Sequence, residues 1–263
     1  MKKITLIIMA ILLCFSCVAC SSDAEGDANE LENYTPPSTE CKIDTGTLSF
    51  KDGPAETAII TKYAGKSERH EVVIPDIVND REVSGIGKEA FYHQTLITKI
   101  TLPSTVEYID NFAFAGCTEL KTIVIPASVT RIGEFAFQGC TALETVVFAG
   151  TALEDIENFA FNDCTALKTI VLPEGLKSIG DQAFGDCVSI EKLKTPSTLK
   201  TIGTFAFFGC KGLNKKGALT LTESITEIGE FAFEGINKLY INAPQDSYAA
   251  EYVDDMFDSD IEE

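Results

Sequence analysis

Cysteine is the chemically reactive residue that recurs most regularly in this chain. Five of the nine cysteines follow one another at intervals of 23 or 24 residues: Cys117, Cys140, Cys164, Cys187 and Cys210. These five are never paired as C-x-x-C, the spacing typical of structural zinc sites. Neighbours in stacked repeats would lie within disulfide range, but their Cβ atoms would point the same way. We therefore interpret the five as small buried side chains that fill a column. Cys41 lies outside this column, and the sequence leaves open whether it is a free thiol.

Other groups that perform acid, base or nucleophilic chemistry are few or scattered. The two histidines, His70 and His93, belong to no Ser-His-Asp arrangement, no His-x-x-x-His pair and no phosphate-binding loop. The carboxylates are numerous and scattered along the chain. The sequence alone therefore leaves open whether two of them meet in space and act as the paired acids of a glycosidase. The acidic stretch 254–263 lacks the spacing of a calcium loop and is interpreted as a solvated tail. We expect a protein that is not an enzyme and that needs no cofactor or metal.

An internal repeat is the strongest signal in the sequence. An Ala-Phe pair occurs seven times at a spacing of 23 to 26 residues, with phenylalanines at Phe91, Phe114, Phe137, Phe161, Phe184, Phe207 and Phe233. Five residues before each phenylalanine stands an isoleucine: Ile86, Ile109, Ile132, Ile156, Ile179, Ile202 and Ile228. Self-similarity at such a period indicates a solenoid, in which each unit buries its apolar residues only against its neighbours.

Each unit is predicted to contain one strand, a proline that ends it, and a turn. The strand is the apolar alternation seen at 123–126, and a short helical turn through Ala-Phe leads to the next strand. Equivalent residues then align in columns, including a phenylalanine spine. The predicted fold is an α/β-type repeat solenoid, rich in β-structure and right-handed, with about seven units of 23 residues.

Both ends of such a stack need caps. Residues 41–82 are predicted to form an N-terminal β cap, with strand-like runs at 47–50 and 57–61, and a third strand at 71–75 enters the repeat register. Residues 83–241 are the repeats. The segment 242–263 is predicted to form a C-terminal cap, with a short helix near 247–253, and the acidic tail.

The first forty residues have the pattern of an exported protein. Met1, Lys2 and Lys3 precede an apolar run at 4–13 that is too short to span a bilayer, so residues 1–19 are predicted to be a signal peptide. The sequence before Cys20 resembles a lipobox, although Cys17 stands where leucine is usual; ordinary secretion is the alternative. Cys20 would be lipidated, and residues 20–40 would form a flexible acidic tether. Ser21 and the acidic residues after it resemble signals for the outer membrane and its outer surface.

The net charge of −19 narrows the possible partners. Such a chain repels phosphate backbones and anionic bilayers, so nucleic acid is not expected as a partner, and membrane contact is expected through the lipid alone. The charge also favours a soluble monomer.

The strand alternation predicts a candidate binding surface. Alternate residues on each strand point into the core, and the others point to the open face of the sheet. The outward set comprises Lys99, Thr101, Thr122, Val124, Thr145, Val147, Thr169, Val171, Lys192 and Lys194, followed on the next turn by Ala218 and Thr220. The first ten are the candidate binding residues. Exposed apolar stripes mark interaction sites, but Thr and Val are also good strand formers, so both interpretations stay open. Two residues before the spine, a second aromatic series is expected to pack as another buried column, with a sticky surface as the alternative: Phe112, Phe135, Phe159, Phe205 and Phe231.

The repeats resemble the leucine-rich repeats of the BspA type. The resemblance rests on LPSTVEYIDNFAFAGCTELKTIVIP at 102–126, on a front cap at 46–91, and extends over 45–253. It implies a surface-located binding or adhesion protein, in a family where some members recognise host matrix proteins, and it brings no catalytic residues. Gln94 and Ile236 replace cysteine in the first and last repeats.

Three functions follow from these observations. The leading hypothesis is a lipid-anchored surface protein that binds a macromolecule, most simply a host or matrix protein, through its repeat face. A second is a glycan-binding accessory of an outer-membrane uptake system, which the absence of tryptophan disfavours. A third is a structural scaffold of the cell envelope.

Overall fold

The computed structural model describes residues 40–237 and 240–258. This part of the chain winds into a β-rich solenoid, as predicted, with about 8 turns where the sequence predicted about seven units. The predicted signal peptide, Cys20 and all but the last residue of the predicted tether lie outside the described residues, as does the end of the acidic tail. Within the described ranges, no helix is both long and apolar enough to span a bilayer.

Nineteen strands form within the described residues. The first ten are β1 (Glu40–Ile43), β2 (Gly46–Asp52), β3 (Ala58–Gly65), β4 (His70–Val73), β5 (Ile77–Val78), β6 (Arg81–Ile86), β7 (Ile97–Thr101), β8 (Tyr108–Ile109), β9 (Thr122–Ile125) and β10 (Arg131–Ile132). The others are β11 (Thr145–Phe148), β12 (Asp155–Ile156), β13 (Thr169–Ile170), β14 (Ser178–Ile179), β15 (Leu193–Lys194), β16 (Thr201–Ile202), β17 (Leu219–Thr220), β18 (Glu227–Ile228) and β19 (Ile241–Asn242). Short 3-10 turns occupy Pro54–Glu56 and Lys211–Leu213, and α1 (Tyr248–Asp258) is an α-helix.

The largest sheet has eleven strands in the order β1-β2-β3-β6-β8-β10-β12-β14-β16-β18, with β5 beside β6. The strands β1, β2 and β3 pair antiparallel at the front, and β3 then pairs in parallel with β6. From β8 onward each strand is two residues long and ends in an isoleucine of the predicted column. The sequence predicted one strand per repeat, whereas the structure has two. A two-residue strand is too short to show an alternating pattern.

The alternating segments predicted as strands form the other face of the solenoid. They build a five-stranded sheet, β13-β11-β9-β7-β4, and a three-stranded sheet, β15-β17-β19, whose pairings are all parallel. An isolated bridge between Thr169 and Lys192 joins the two sheets into one surface. We call the outer side of these strands the open sheet face.

A column of eight stacked aromatic rings runs through the interior between the sheets. It contains the seven predicted phenylalanines and, at the front, Tyr63. Successive ring centroids lie 5.0–5.6 Å apart, and all eight side chains are buried. The backbone follows the same repeat, because each spine N–H donates to an alanine carbonyl of the next turn, as Phe114 does to Ala136 at 2.8 Å. We call this column the spine.

The repeat cysteines form a second buried column beside the spine, and all five are free thiols. Each thiol donates a hydrogen bond of 3.2 Å to the carbonyl of the spine phenylalanine one turn earlier, as Cys140 does to Phe114. Burial raises the pKa of the Cys117 thiol from 9.0 to about 12. Cys41, left open by the sequence, is disulfide-bonded, and its partner is not one of these five.

The segment before each spine phenylalanine is a hydrogen-bonded turn and not the predicted helical turn. In the third repeat, Ala136 N–H donates to Gly133 O at 3.2 Å, but Phe135 has a φ of 57°. The same left-handed conformation occurs two residues before every spine phenylalanine, at Glu89, Phe112, Phe135, Phe159, Gln182, Phe205 and Phe231. A residue in the left-handed region cannot continue a right-handed helix, so the chain turns back toward the next strand.

The C-terminal cap covers the last repeat on the side where the other repeats contact a following turn of the solenoid. Helix α1 places Tyr252 against the last spine ring, Phe233, with the centroids 6.3 Å apart and an edge-on angle of 75°. Its hydroxyl donates to Gly229 O at 3.0 Å and accepts from Ala232 N–H at 3.2 Å. One side chain therefore covers the end of the spine and pairs backbone groups at the end of the stack.

Candidate binding surface on the open sheet face

The ten predicted surface residues lie together in two rows that run along the solenoid. Backbone pairing aligns the first row residue by residue, from Lys99 to Thr122, to Thr145, to Thr169 and to Lys192. Each contact in this row crosses one strand spacing, about 4.8 Å. The first row is thus a continuous line of side chains across five successive turns.

The second row lies two residues further along each strand, on the same side of the sheet. It contains Thr101, Val124, Val147, Val171 and Lys194, with Val124 and Val147 paired directly. Thr101, Val124 and Val147 are half-buried, Lys194 is exposed, and Val171 is 71% exposed. Each of the ten candidate residues reaches the surface, and Thr220 on the next turn is half-buried, but Ala218, also predicted to point outward, is buried.

The residues between the two rows hold the fold together. Ile100, Ile123, Val146, Ile170 and Leu193 alternate with the surface positions and are all buried. Since side chains on a strand point alternately to opposite sides, the surface residues can change without removing a contact from the core. The open sheet face is therefore free to specify a partner while the inner face specifies the solenoid.

Strand β4 extends both rows at the front, which the sequence prediction missed. Glu71 aligns with Lys99, and Val73 aligns with Thr101. Val73 is 46% exposed, and the Glu71 carboxylate lies 3.5 Å from the Lys99 ammonium. The segment 71–75 carries the same alternation as later strands, so the signal was present in the sequence.

The two ends of the open sheet face differ in charge. At the front, Lys99 is neutralised by its ion pair with Glu71. At the back, Lys192 and Lys194 are exposed and make no ion pair with any described residue. The sequence predicted lysines at both ends, but only the back end presents uncompensated positive charge.

The second aromatic series is half-buried and interrupted, so the expectation of another buried column is wrong. Phe112, Phe135 and Phe159 stack with centroids 4.7 Å apart at interplanar angles of 6° and 9°. Gln182 interrupts the series before Phe205 and Phe231 stack at 5.1 Å, and Phe231 is 50% exposed. We call this series the outer column.

The histidines and repeat cysteines of the described residues are held in structural contacts. No group of three or more His, Cys, Asp or Glu side chains in the described ranges could hold a metal ion. His70 is held between Tyr63 Oη at 2.7 Å and Glu68 O at 2.6 Å, and His93 packs edge-on against Tyr92. Two surface depressions, of about 530 and 430 Å³, contain neither histidine. Burial raises the pKa of the Cys117 and Cys140 thiols, which disfavours the thiolate form that a nucleophile needs.

Several solved bacterial structures share this architecture. A leucine-rich repeat protein from T. pallidum is 29% identical, has a TM-score of 0.67, and the match covers 80% of this chain and 93% of that one. A leucine-rich cell surface protein from Faecalibacterium prausnitzii is 27% identical, with a TM-score of 0.62 and coverage of 81% and 56%. A leucine-rich repeat protein from Eubacterium ventriosum is 28% identical, with a TM-score of 0.59 and coverage of 71% and 50%. This chain thus spans about half the length of the latter two proteins. A search of curated proteins found no match.

The family comparison agrees with the repeat that was read from the sequence. The BspA type leucine-rich repeat region matches in 6 copies, over residues 84–214 and 177–253. Repeat proteins of this kind are generally non-catalytic scaffolds that mediate protein interactions, and no name among these neighbours is that of an enzyme. The period, the two sheets and the family match agree, and the chain belongs to the BspA-type leucine-rich repeat family of bacterial surface proteins.

Proposed function

We propose that this protein is a non-catalytic, lipid-anchored surface protein that binds a partner protein through its open sheet face. The observation that carries the proposal is the alignment of ten surface residues in two continuous rows, over five turns of the solenoid. A row of threonines beside a row of valines offers a flat surface that is apolar on one side and hydrogen-bonding on the other. Such a surface suits another protein better than a small molecule, which prefers a concave pocket.

The exposed valines support this choice. Val171 is 71% exposed near the back of the second row, and Val73 is 46% exposed where β4 extends the row at the front. Large apolar side chains that line up on a surface mark interaction sites more often than single scattered ones. Valine also favours strands, but Val171 lies just beyond the end of β13, where strand propensity does not account for it.

The outer column supports a protein partner over a glycan. Sugars bind aromatic side chains by stacking on the ring face. Phe112, Phe135 and Phe159 cover one another's faces at 4.7 Å and so present mainly edges to solvent. The alternative function in glycan uptake therefore lacks a stacking platform at these three rings.

A triple substitution tests the proposed surface. Lys192→Glu, Lys194→Glu and Val147→Asp together place three carboxylates on the open sheet face, and capture of immobilised host matrix proteins should fall about ten-fold or more. The matched control is Lys177→Glu, Lys200→Glu and Val188→Asp, which makes the same charge change outside the open sheet face. Both variants should keep the wild-type melting profile. Wild-type capture by the first variant would rule out this face.

The lipid anchor and outer-membrane surface location are proposed from the sequence around Cys20. Lipidation should make the wild-type chain partition into detergent and incorporate labelled palmitate, because several acyl chains on one cysteine anchor stably. Cys20→Ala should abolish both. Equal labelling of Cys20→Ala and wild type would disprove this anchor, and resistance to protease added to whole cells would disprove exposure on the outer surface.

A further inference from the structure

One segment in the back half of the repeats carries positive charge on a very acidic protein. Residues 168–216 contain eight lysines against four carboxylates, whereas the whole chain has a net charge of −19. Five of these lysines lie in or shortly before the strands β13, β15 and β17 of the open sheet face, and we call them the lysine patch: Lys168, Lys192, Lys194, Lys215 and Lys216. Local charge of opposite sign to the whole molecule requires an explanation beyond solubility.

The backbone pairing brings the patch together. Lys192 and Lys194 flank the buried Leu193, so both point outward, about 7 Å apart along the strand. Lys168 immediately precedes Thr169, which bridges to Lys192 on the next turn.

Two further lysines lie on the following turn, where the spacing from Phe207 to Phe233 is 26 residues and so longer than in the other repeats. Lys215 and Lys216 precede Ala218, whose carbonyl accepts a hydrogen bond from Leu193 N–H at 2.7 Å. The lysines therefore lie on three successive turns, about 5 Å apart along the solenoid axis.

Most of this charge is uncompensated within the described residues. Lys215 pairs with Glu191 at 3.8 Å, and no other lysine of the patch has an ion pair there. Clustered like charges repel one another, and a negatively charged ligand would relieve that repulsion. The front end of the same face contrasts with it, since Lys99 has its own carboxylate partner in Glu71.

An apolar side chain stands within the patch. Because Thr169 aligns with Lys192, Val171 lies beside Lys194, and Val171 is 71% exposed. A complementary ligand needs carboxylates about 7 Å apart and an apolar group between or beside them. Alternate side chains of an extended peptide have this spacing.

We infer that the lysine patch binds a short, extended acidic segment of the partner protein, with carboxylates on alternate residues and an apolar side chain over Val171. This inference rests on the proposed function and adds the chemistry of the partner. An anionic polysaccharide or an anionic bilayer fits less well, because a long polyanion would be repelled by the acidic remainder of the chain. A short segment needs to contact only the patch.

The test measures binding of a fluorescent octapeptide of alternating glutamate and valine to the full chain by anisotropy. Binding should weaken as salt is raised from 50 to 300 mM, since exposed ion pairs are screened. Lys192→Glu with Lys194→Glu should weaken binding by about ten-fold or more. The control pair Lys177→Glu with Lys200→Glu carries the same change in net charge, and it should bind within about two-fold of wild type. A glutamine-for-glutamate peptide should bind about ten-fold more weakly than the acidic one.

Three results would overturn the inference. These are equal affinity for the acidic and amide peptides, equal loss in the patch and control variants, and tighter binding of polygalacturonate or phosphatidylglycerol vesicles than of the peptide.

The proposed function is judged separately by Val147→Asp alone, which leaves every lysine in place. If the acidic peptide fails to bind but Val147→Asp abolishes partner capture, the inference is wrong and the proposed function stands. If the peptide binds at the patch but Val147→Asp captures the partner normally, the inference stands. The proposal that the partner binds across the whole open sheet face is then wrong.

Discussion

The spine and the outer column contain the same residue type, two positions apart in most repeats, yet their environments differ. Phe137 of the spine is fully buried between neighbours at 5.1 and 5.0 Å. Phe135 of the outer column is half-buried, stacks at 4.7 Å on both sides, and has a left-handed backbone. The spine is continuous over eight rings, whereas Gln182 interrupts the outer column. The interior demands an aromatic ring at every turn, and the surface tolerates a polar residue.

Alkaline pH should have the largest effect on stability, and it should act mainly through the buried cysteine column. Burial raises the folded-state pKa of Cys117, Cys140, Cys164 and Cys210, so these thiols stay protonated where the unfolded chain ionises. The unfolded state then binds fewer protons, and the free energy of unfolding falls as pH rises above about 9, towards about 12. Four thiols at ~1.4 kcal/mol per pH unit each make a slope of roughly 5 kcal/mol per unit.

The measurement is the urea midpoint between pH 7 and 10.5, with Cys164→Ala as the comparison. This variant removes one of the four groups, so its alkaline slope should be about a quarter smaller than that of wild type. A stability that stayed flat through pH 10 would show that the thiols are accessible to solvent in the folded state.

Truncating the spine should cost more than truncating the outer column. Phe137→Ala removes a ring with no exposed surface and should lower the free energy of unfolding by about 3–5 kcal/mol. Phe135→Ala removes a half-buried ring in the same repeat and should cost about 1–2 kcal/mol. Chemical denaturation of both variants gives the comparison directly. Equal costs would mean that the outer column supports the fold as much as the spine does.

The end of the spine depends on the hydroxyl of Tyr252. Tyr252→Phe keeps the ring against Phe233 but loses the hydrogen bonds to Gly229 O and Ala232 N–H. Ala232 N–H and Gly229 O then keep only their mutual hydrogen bond of 3.3 Å, so the loss should cost about 1 kcal/mol. Hydrogen exchange should show faster exchange at Ala232 while Phe114 and its neighbours stay protected. An unchanged exchange rate at Ala232 would show that water replaces the hydroxyl without cost.

The phenylalanines of the spine could be predicted from the sequence, but Tyr63 at its front and Tyr252, which covers its back end, could not. Seven phenylalanines share the Ala-Phe pattern and a fixed spacing, so periodicity alone identifies them. Tyr63 and Tyr252 stand outside that pattern, on a cap strand and on a helix. Only tertiary packing brings them onto the spine, and a single sequence contains no period that links a cap residue to a repeat.

The open sheet face was predicted more completely than the turns. Alternation on the strands identified all ten surface residues, because side chains on a strand must point alternately in and out. The charge difference between its ends required the register of β4, which places Glu71 beside Lys99. The left-handed turns escaped prediction because phenylalanine and glutamine are not residues that favour a positive φ.

The left-handed turns before the spine phenylalanines give the prediction with the smallest expected effect. It tests whether backbone conformation separates the outer column from the spine. At most sites glycine is less stabilising than alanine, because glycine loses more conformational freedom on folding. At Phe135 the order should reverse, since its φ of 57° costs an L-residue about 1–2 kcal/mol that glycine does not incur. Phe135→Gly should therefore be more stable than Phe135→Ala by about 1 kcal/mol, measured by denaturation under identical conditions. At Phe137, which has no positive φ, glycine should be the less stable of the two. If alanine were preferred at both positions, the left-handed conformation would not separate the outer column from the spine.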